Sequence, residues 1–335
     1  MHGTTKSLVT AGIAAALLLA ASAPLLAQQK SSPLPDGYPS KPIRMIVSAI
    51  PGAGSDILAR IVSKALGEKI DRSLVVDNRG GANGVPAMNE IVRAAPDGHT
   101  IMTAGNLLIL NGVLKKVPYD IRKTLEPVAQ MSSQPYLLLV VPSLPISNLK
   151  ELVQYAKSHP RGLSYASSGL GAVNHLAMEL LTSRTGIELV HVPYKGNAQA
   201  YGDLLTERIH LIYGAGASST PHIKSGKLRA IAISGGRRAT AFPDLPTVAE
   251  SGVSGYDVTN SYSLYVPAGV TGPIVAWLSR EVNEIVNSVE VKGKLATEGA
   301  DPGVPRDPAA LKDAFIKEYA TWENFLSTSK IKLTD

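Results

Sequence analysis

The chain has 335 residues and 35.2 kDa, enough for two domains of ordinary size. Hydrophobic residues at 44% and charged residues at 18% exclude a disordered or fibrous chain, and the 30 Gly and 23 Pro follow no collagen period. The formal net charge is +6, but the basic residues are scattered and aromatics are only 5%, so nucleic acid is excluded as a partner. The complete lack of Cys excludes disulfides, a thiol nucleophile, Cys-ligated zinc, iron–sulfur clusters and a lipoprotein anchor.

The first element is a leader. Lys6 precedes an almost wholly apolar stretch from Leu8 to Leu26, and Gln28 opens a polar one. Pro24 and the many alanines favour a cleaved signal peptide over residues 1–27 rather than a retained anchor, although Leu25 is large for its place before the cut. The expected location is therefore the periplasm. The mature chain keeps 32 basic against 27 acidic residues, a net charge of +5 that attracts an anionic ligand weakly. No later stretch reaches the roughly 18 apolar residues of a membrane span.

Beyond the leader, short apolar runs alternate with amphipathic stretches. Ile43–Ser48 reads as a buried strand, and Ser55–Ile70 has helical spacing in Ile57, Leu58, Ile61, Val62, Ala65 and Leu66. Strand Ser73–Asp77, helix Pro86–Ala95 and strand Thr100–Ala104 follow. Leu137–Val141 is strongly β-like, and helix Asn148–Ser158 is stopped by Pro160. Next come strand Leu163–Ala166, helix Val173–Thr185 ended by Gly186, strand Leu189–Val192 and helix Ala198–Thr206. Ile209–Tyr213, Leu228–Ser234 and Tyr262–Val266 read as strands, and the tail from Ile274 as mostly helical. Alternation of strands and helices predicts an α/β fold without internal repeats. The expected division is 38–133 plus 259–335 for domain 1 and 134–258 for domain 2, with extended crossings near Ser133 and Thr259.

Three loops share one design: each follows a strand, carries Gly with small polar residues, and opens a helix. They are Ala49–Asp56, Ala166–His175 and Val192–Ala200. A helix start offers unpaired N–H groups and a partial positive charge, and glycine lets an anion approach the backbone. An ordinary strand-to-helix turn uses the same residues, so no single loop decides the matter. Two such loops, one per expected domain, suggest a clamp for a carboxylate or phosphate. Asp56 is a helix cap or a ligand acceptor, His175 a packed histidine or part of the site floor, and Lys195 a solvated or ligand-facing charge. The glycines of Asn78–Gly84 line the same cleft or only turn the chain.

No catalytic motif is present. The P-loop lysine, the full dinucleotide fingerprint, the zinc helix motif and the nucleophile elbow are all missing, and no cofactor or metal is implied. The alternative to a binding protein is an exported α/β hydrolase or transferase using Ser168 with His175. A ligand sensor for a two-component system is a further alternative.

The longer motifs PGAGSDILAR at 51–60, VVDNRGGANG at 75–84, SYASSGLGAVNHLAMELL at 164–181, HVPYKGNAQA at 191–200 and PDLPTVAESGVSGYDV at 243–258 occur in one order. With APDGHT, PYLLLVVPSLPISNLKELVQYAKSHP, SGKLRAIAIS and VPAG, they make the chain resemble the Bug (TctC-type) extracytoplasmic solute receptors of tripartite tricarboxylate transporters. The resemblance implies a type II, two-domain periplasmic binding protein. In that fold each domain is a mostly parallel sheet flanked by helices, and two hinge strands join them. It implies capture of a small di- or tricarboxylate and delivery to integral-membrane subunits by a monomeric receptor. Carried over residue by residue, the grip falls on Gly52, Ala53, Gly54 and Ser55 with Asp56 beside them. Across the cleft it falls on Ser167, Ser168, Gly169, Gly171 and Ala172 with His175 beneath. Lys195, Gly196 and Asp203 are weaker candidates, and Tyr262 and Asn260 map to the cleft wall. Three departures stand out. Ala53 replaces a usual glycine, Ser261 falls where an ungapped count places the family's usual Trp, and AGVTGP is one residue longer. The expectation from Ser261 is an enlarged pocket and a bulkier ligand, an aromatic or long-chain dicarboxylate.

Overall fold

The structure is a computed structural model that describes residues 34–328 apart from 53, 82, 83, 115, 195, 196 and 298. The expected signal peptide and the candidate residues Ala53, Lys195 and Gly196 lie outside the described residues. In chain order the strands are β1 (Ile43–Val47), β2 (Leu74–Asn78), β3 (Thr100–Gly105), β4 (Leu125–Val140), β5 (Ser164–Ser167), β6 (Val190–Pro193), β7 (Leu211–Ala215), β8 (Arg229–Ile233), β9 (Thr259–Pro267) and β10 (Asp301–Pro302). The helices are α1 (Gly54–Ile70), α2 (Val85–Ile91), α3 (Leu107–Val113), α4 (Ile121–Thr124), α5 (Leu149–Ser158), α6 (Val173–Thr185), α7 (Asn197–Leu205), α8 (Gly216–Lys224), α9 (Gly272–Val286), α10 (Val289–Thr297) and α11 (Pro308–Thr328).

The strands pair in the order β2-β1-β3-β9-β4-β7-β5-β6, with β10 and β8 added on β4. β1 is parallel to β2 and β3, while β9 is antiparallel to β3 and β4. β5 is likewise parallel to β6 and β7. Strand β4 belongs to both arms. Leu125–Pro135 pairs with β9, and from Tyr136 onward the same strand pairs with β7 instead. The chain re-enters the first arm through Val258, whose N–H donates to the Ser234 carbonyl at 2.8 Å.

The apolar run of β4 is buried on both faces, which is why it lacks alternation. Leu138 and Val140 join one buried cluster; Leu137 and Leu139 join another with Ala200, Leu204 and Ile212. In the first arm Ile43, Met45 and Val47 pack against Leu58, Val62 and Leu66 of α1 and against Leu278 and Val282 of α9. The spacing of three and four residues along α1 puts its apolar side chains on one stripe facing the sheet.

Several elements differ from the sequence reading. β4 starts at Leu125, twelve residues before the apolar run, because polar side chains and Pro127 obscure its extended first half. α3, with the sequence LLILNGV, is apolar almost all round and has no helical period to detect. α8 is rich in Gly, Ser and Thr and holds Pro221, all poor helix signals.

Candidate ligand-binding site

The carboxyl ends of β1, β3 and β5 and the facing side of β9 surround a cavity of about 370 Å³. One wall is Ser48, Ala49 and Ser55, from the β1–α1 loop and the first residues of α1. The opposite wall is Ser168, Leu170, Gly171, Ala172 and Val173, from the β5–α6 loop. Asn106, Leu107 and Leu108 close a third side, and Tyr136, Asn260 and Tyr262 come from the two shared strands. No charged side chain lines this cavity among the described residues.

Each loop is held by the helix it opens. In the first, Gly52 takes a left-handed φ of 82° and its N–H donates to the Asp56 carboxylate at 2.8 Å. The same carboxylate accepts from Arg60 Nε at 3.0 Å and from the Asn78 amide at 2.9 Å. Burial raises the Asp56 pKa, but the hydrogen bonds from Arg60, Gly52 and Asn78 outweigh it and hold the carboxyl below the usual range. Asp56 is therefore fully engaged in shaping the loop. Ser55 beside it is 2% exposed, lines the cavity, and its hydroxyl forms no hydrogen bond with a described residue.

In the second loop, Gly169 and Gly171 have φ of 126° and 72°, a backbone region that side chains disfavour. Ser168 donates its hydroxyl to Asn174 Oδ1 at 3.0 Å, and Asn174 is tied to the Tyr213 carbonyl at 3.4 Å. The Gly171 N–H donates to His175 Nδ1 at 3.2 Å, and the Gly169 N–H to Ser167 Oγ at 3.2 Å. Ser167 Oγ also meets His191 Nε2 at 2.7 Å. His175 stacks on His191 with ring centroids 4.1 Å apart, and His191 stacks on Tyr165 at 4.8 Å. Burial, and then the neighbouring His191, push the His175 pKa down to about 4; burial alone does the same to His191. Both rings are neutral near pH 7.

Ser55, Ser168, Gly171, Ala172 and Tyr262 thus surround one cavity. Gly52, Gly54, Asp56, Ser167, Gly169 and His175 are not among its lining residues. Gly52, Asp56, Ser167, Gly169 and His175 hydrogen-bond within the loop framework instead. Asp203 also lies outside the lining; it accepts from the Tyr194 hydroxyl at 2.7 Å. Of the Asn78–Gly84 loop, Gly84 lines the cavity, and a Cβ there would meet Ser48 Cβ at 3.1 Å. Sequence reasoning missed Asn106 and Tyr136. The run AGN at the end of β3 and the start of α3 repeats the strand–Gly–helix design of the chosen loops and was the available signal for Asn106. No hydrogen bond joins Ser168 to His175 among the described contacts, so the pairing a hydrolase reading needs is not formed.

The expectation for Ser261 is corrected. Side chains alternate along β9, so Asn260 and Tyr262 face the cavity and Ser261 faces the other side. There it accepts from Gln130 Nε2 at 2.9 Å and lines a separate space of about 60 Å³ with Glu318 and Phe315. A small residue at 261 does not enlarge the ligand cavity.

Two α/β lobes sharing strands that run from one to the other, with a cavity between strand-to-helix loops, define a periplasmic binding protein. Residues 58–323 match the family model of the tripartite tricarboxylate transporter family receptor, TctC, and the chain belongs to that family. The protein BugT of Bordetella pertussis is 32% identical over 301 residues, covering 89% of this chain and 92% of BugT. An R. palustris protein solved with adipate aligns with a TM-score of 0.70 and 32% identity, over 87% of this chain and 98% of that one. MatC from Rhodopseudomonas palustris, solved with bound malate, aligns with a TM-score of 0.67 and 28% identity, over 86% of this chain and 99% of MatC. The family and these neighbours are solute-binding receptors.

Proposed function

We propose that this chain is a periplasmic receptor that captures a small carboxylate in the cavity between the β1–α1 and β5–α6 loops. The observation that carries the reading is Ser55. It is a buried residue at the N-terminus of a 17-residue helix, its hydroxyl has no hydrogen bond to a described residue, and it faces Ser168 and the start of α6 across a cavity that no charged side chain lines among the described residues. Hydroxyls and helix N-termini stabilise an anion without a formal counter-charge. The neighbours solved with adipate and with malate support the carboxylate class.

The lobes divide near Ser133 and Thr259 in this reading, supported by the partner change of β4 at Tyr136. Closure about those strands would exclude water from the ligand, and the closed shape would be what the membrane subunits of a tripartite transporter recognise. The receptor does no chemistry: Ser168 is engaged by Asn174 and His175 by Gly171.

The test is a thermal-shift panel of mono-, di- and tricarboxylates on mature protein refolded from denaturant, which removes co-purified ligand. A true ligand at a hundredfold excess over Kd should stabilise by about 2.7 kcal/mol. A flat response from folded protein across the panel overturns the reading.

A further inference from the structure

A second cavity, of about 180 Å³, lies behind the first, between α1, β4 and α10. Its lining is mainly apolar: Ile57, Leu58, Ile61, Leu295 and Ala300, with Lys294 at one side. Ile57 remains 40% exposed there. Tyr262 lines both cavities and stands between them.

The ring of Tyr262 is packed but not tethered. A Cβ on Gly105 would lie 3.1 Å from its Cε1, and a Cβ on Gly54 would lie 3.5 Å from its hydroxyl. Two glycines therefore make the space the ring occupies. Its hydroxyl makes no hydrogen bond with a described residue, so a change of rotamer breaks no hydrogen bond among the described residues. Displacing the ring would join the two spaces and add about half as much volume again to the front cavity.

We propose that Tyr262 is a movable partition that sets the length of ligand the site accepts. The proposal rests on the carboxylate-receptor reading and deepens it. With the ring in place the ligand is confined to the front cavity. With the ring displaced, the hydrocarbon chain of a longer α,ω-dicarboxylate runs past Gly54 into the apolar back cavity, and its far carboxylate meets Lys294. The Lys294 ammonium already pairs with Glu290 at 2.7 Å, and its side chain is 52% exposed, so it has donors left for a second anion.

The test is calorimetric titration of refolded protein with succinate, adipate and sebacate. Tyr262→Ala should raise affinity for sebacate relative to succinate by roughly tenfold, the worth of two buried methylenes. Ile57→Trp, at the exposed rim, fills the back cavity and should weaken sebacate roughly tenfold more than succinate. A sebacate-to-succinate ratio that is the same in wild type and both variants overturns the partition while leaving the receptor reading intact. Failure of the refolded wild type to bind any of the three acids overturns both.

Discussion

The N–H of Gly171 donates to Nδ1 of His175, four residues on, at 3.2 Å. A ring nitrogen that accepts must be unprotonated, so this bond fixes His175 as a neutral tautomer with its proton on Nε2. The left-handed Gly171 is thereby held in a set position beside the cavity. The histidine supports the loop from outside the cavity lining. His175→Phe should keep the stack on His191 but release Gly171, lowering stability by about 1 kcal/mol and weakening ligand binding. Parallel thermal unfolding and titration would check it; unchanged affinity would show that the loop holds its shape without this bond.

The same stack predicts an acid-sensitive fold. Folded His175 and His191 have pKa values near 4, below the ordinary imidazole value. Between about pH 6.5 and 4 the unfolded chain binds protons that the folded chain refuses. The stabilising contribution is therefore complete above about pH 6.5 and is lost as pH falls through 4. Each histidine contributes a slope of at most about 1.4 kcal/mol per pH unit. Denaturant unfolding at pH 7 and pH 4.5 should show the fall, and His191→Phe should reduce it.

Asp56 collects three hydrogen bonds at the start of α1. Asp56→Ala leaves the Gly52 N–H without its acceptor and the Asn78 amide with only the Ala49 carbonyl, and should cost about 1.5–3 kcal/mol, the usual worth of a hydrogen bond to a charged group. Ligand affinity should fall with it, because Ser55 is the adjacent residue. Asp56→Asn, which retains an acceptor oxygen, should recover part of the stability in urea titrations; no recovery would mean the charge opposite Arg60 matters more than the hydrogen bonds.

A carboxylate on the C-terminal helix predicts the opposite pH trend. Glu318 accepts from the Asn106 amide, whose Oδ1 in turn accepts the Ser261 N–H at 2.6 Å. Burial pushes the Glu318 pKa up to about 7; the Asn106 hydrogen bond works against this, and the charge of Asp257 adds to it. The folded state then keeps a proton that the unfolded state loses near pH 4.5, so this contribution is complete below pH 4.5 and is lost as pH rises through 7. Glu318→Gln keeps an acceptor for Asn106 and removes the charge. Its melting temperature should exceed that of wild type at pH 8 and match it at pH 5.

Ser261→Trp separates the two faces of β9. The indole must fit a space of about 60 Å³ beside Gln130 and Glu318, so overpacking should cost about 1–3 kcal/mol. The order of preference among ligands should not change, since Tyr262 rather than Ser261 faces the cavity. A reordered ligand series in titrations would return residue 261 to the binding wall.

Most regular elements were legible because local chemistry writes them. The three- and four-residue spacing of α1, the αL glycine after α6 and the apolar run of β4 each follow from propensity and burial within a few neighbours. The two glycine-rich strand-to-helix loops were legible for the same reason: a strand, a glycine and a helix start are contiguous in sequence. Their partners were not. Which N–H groups are already taken by Asp56 and His175, that Asn106 and Tyr136 complete the cavity, and which way Ser261 points depend on register between strands far apart in the chain. A one-residue difference in register turns a side chain to the opposite face, and no local pattern carries that information. Sequence alone determined where the glycine-rich strand-to-helix loops lie. Only the tertiary structure decided which of those residues reach the cavity, because reach depends on how two distant chain segments are held across it.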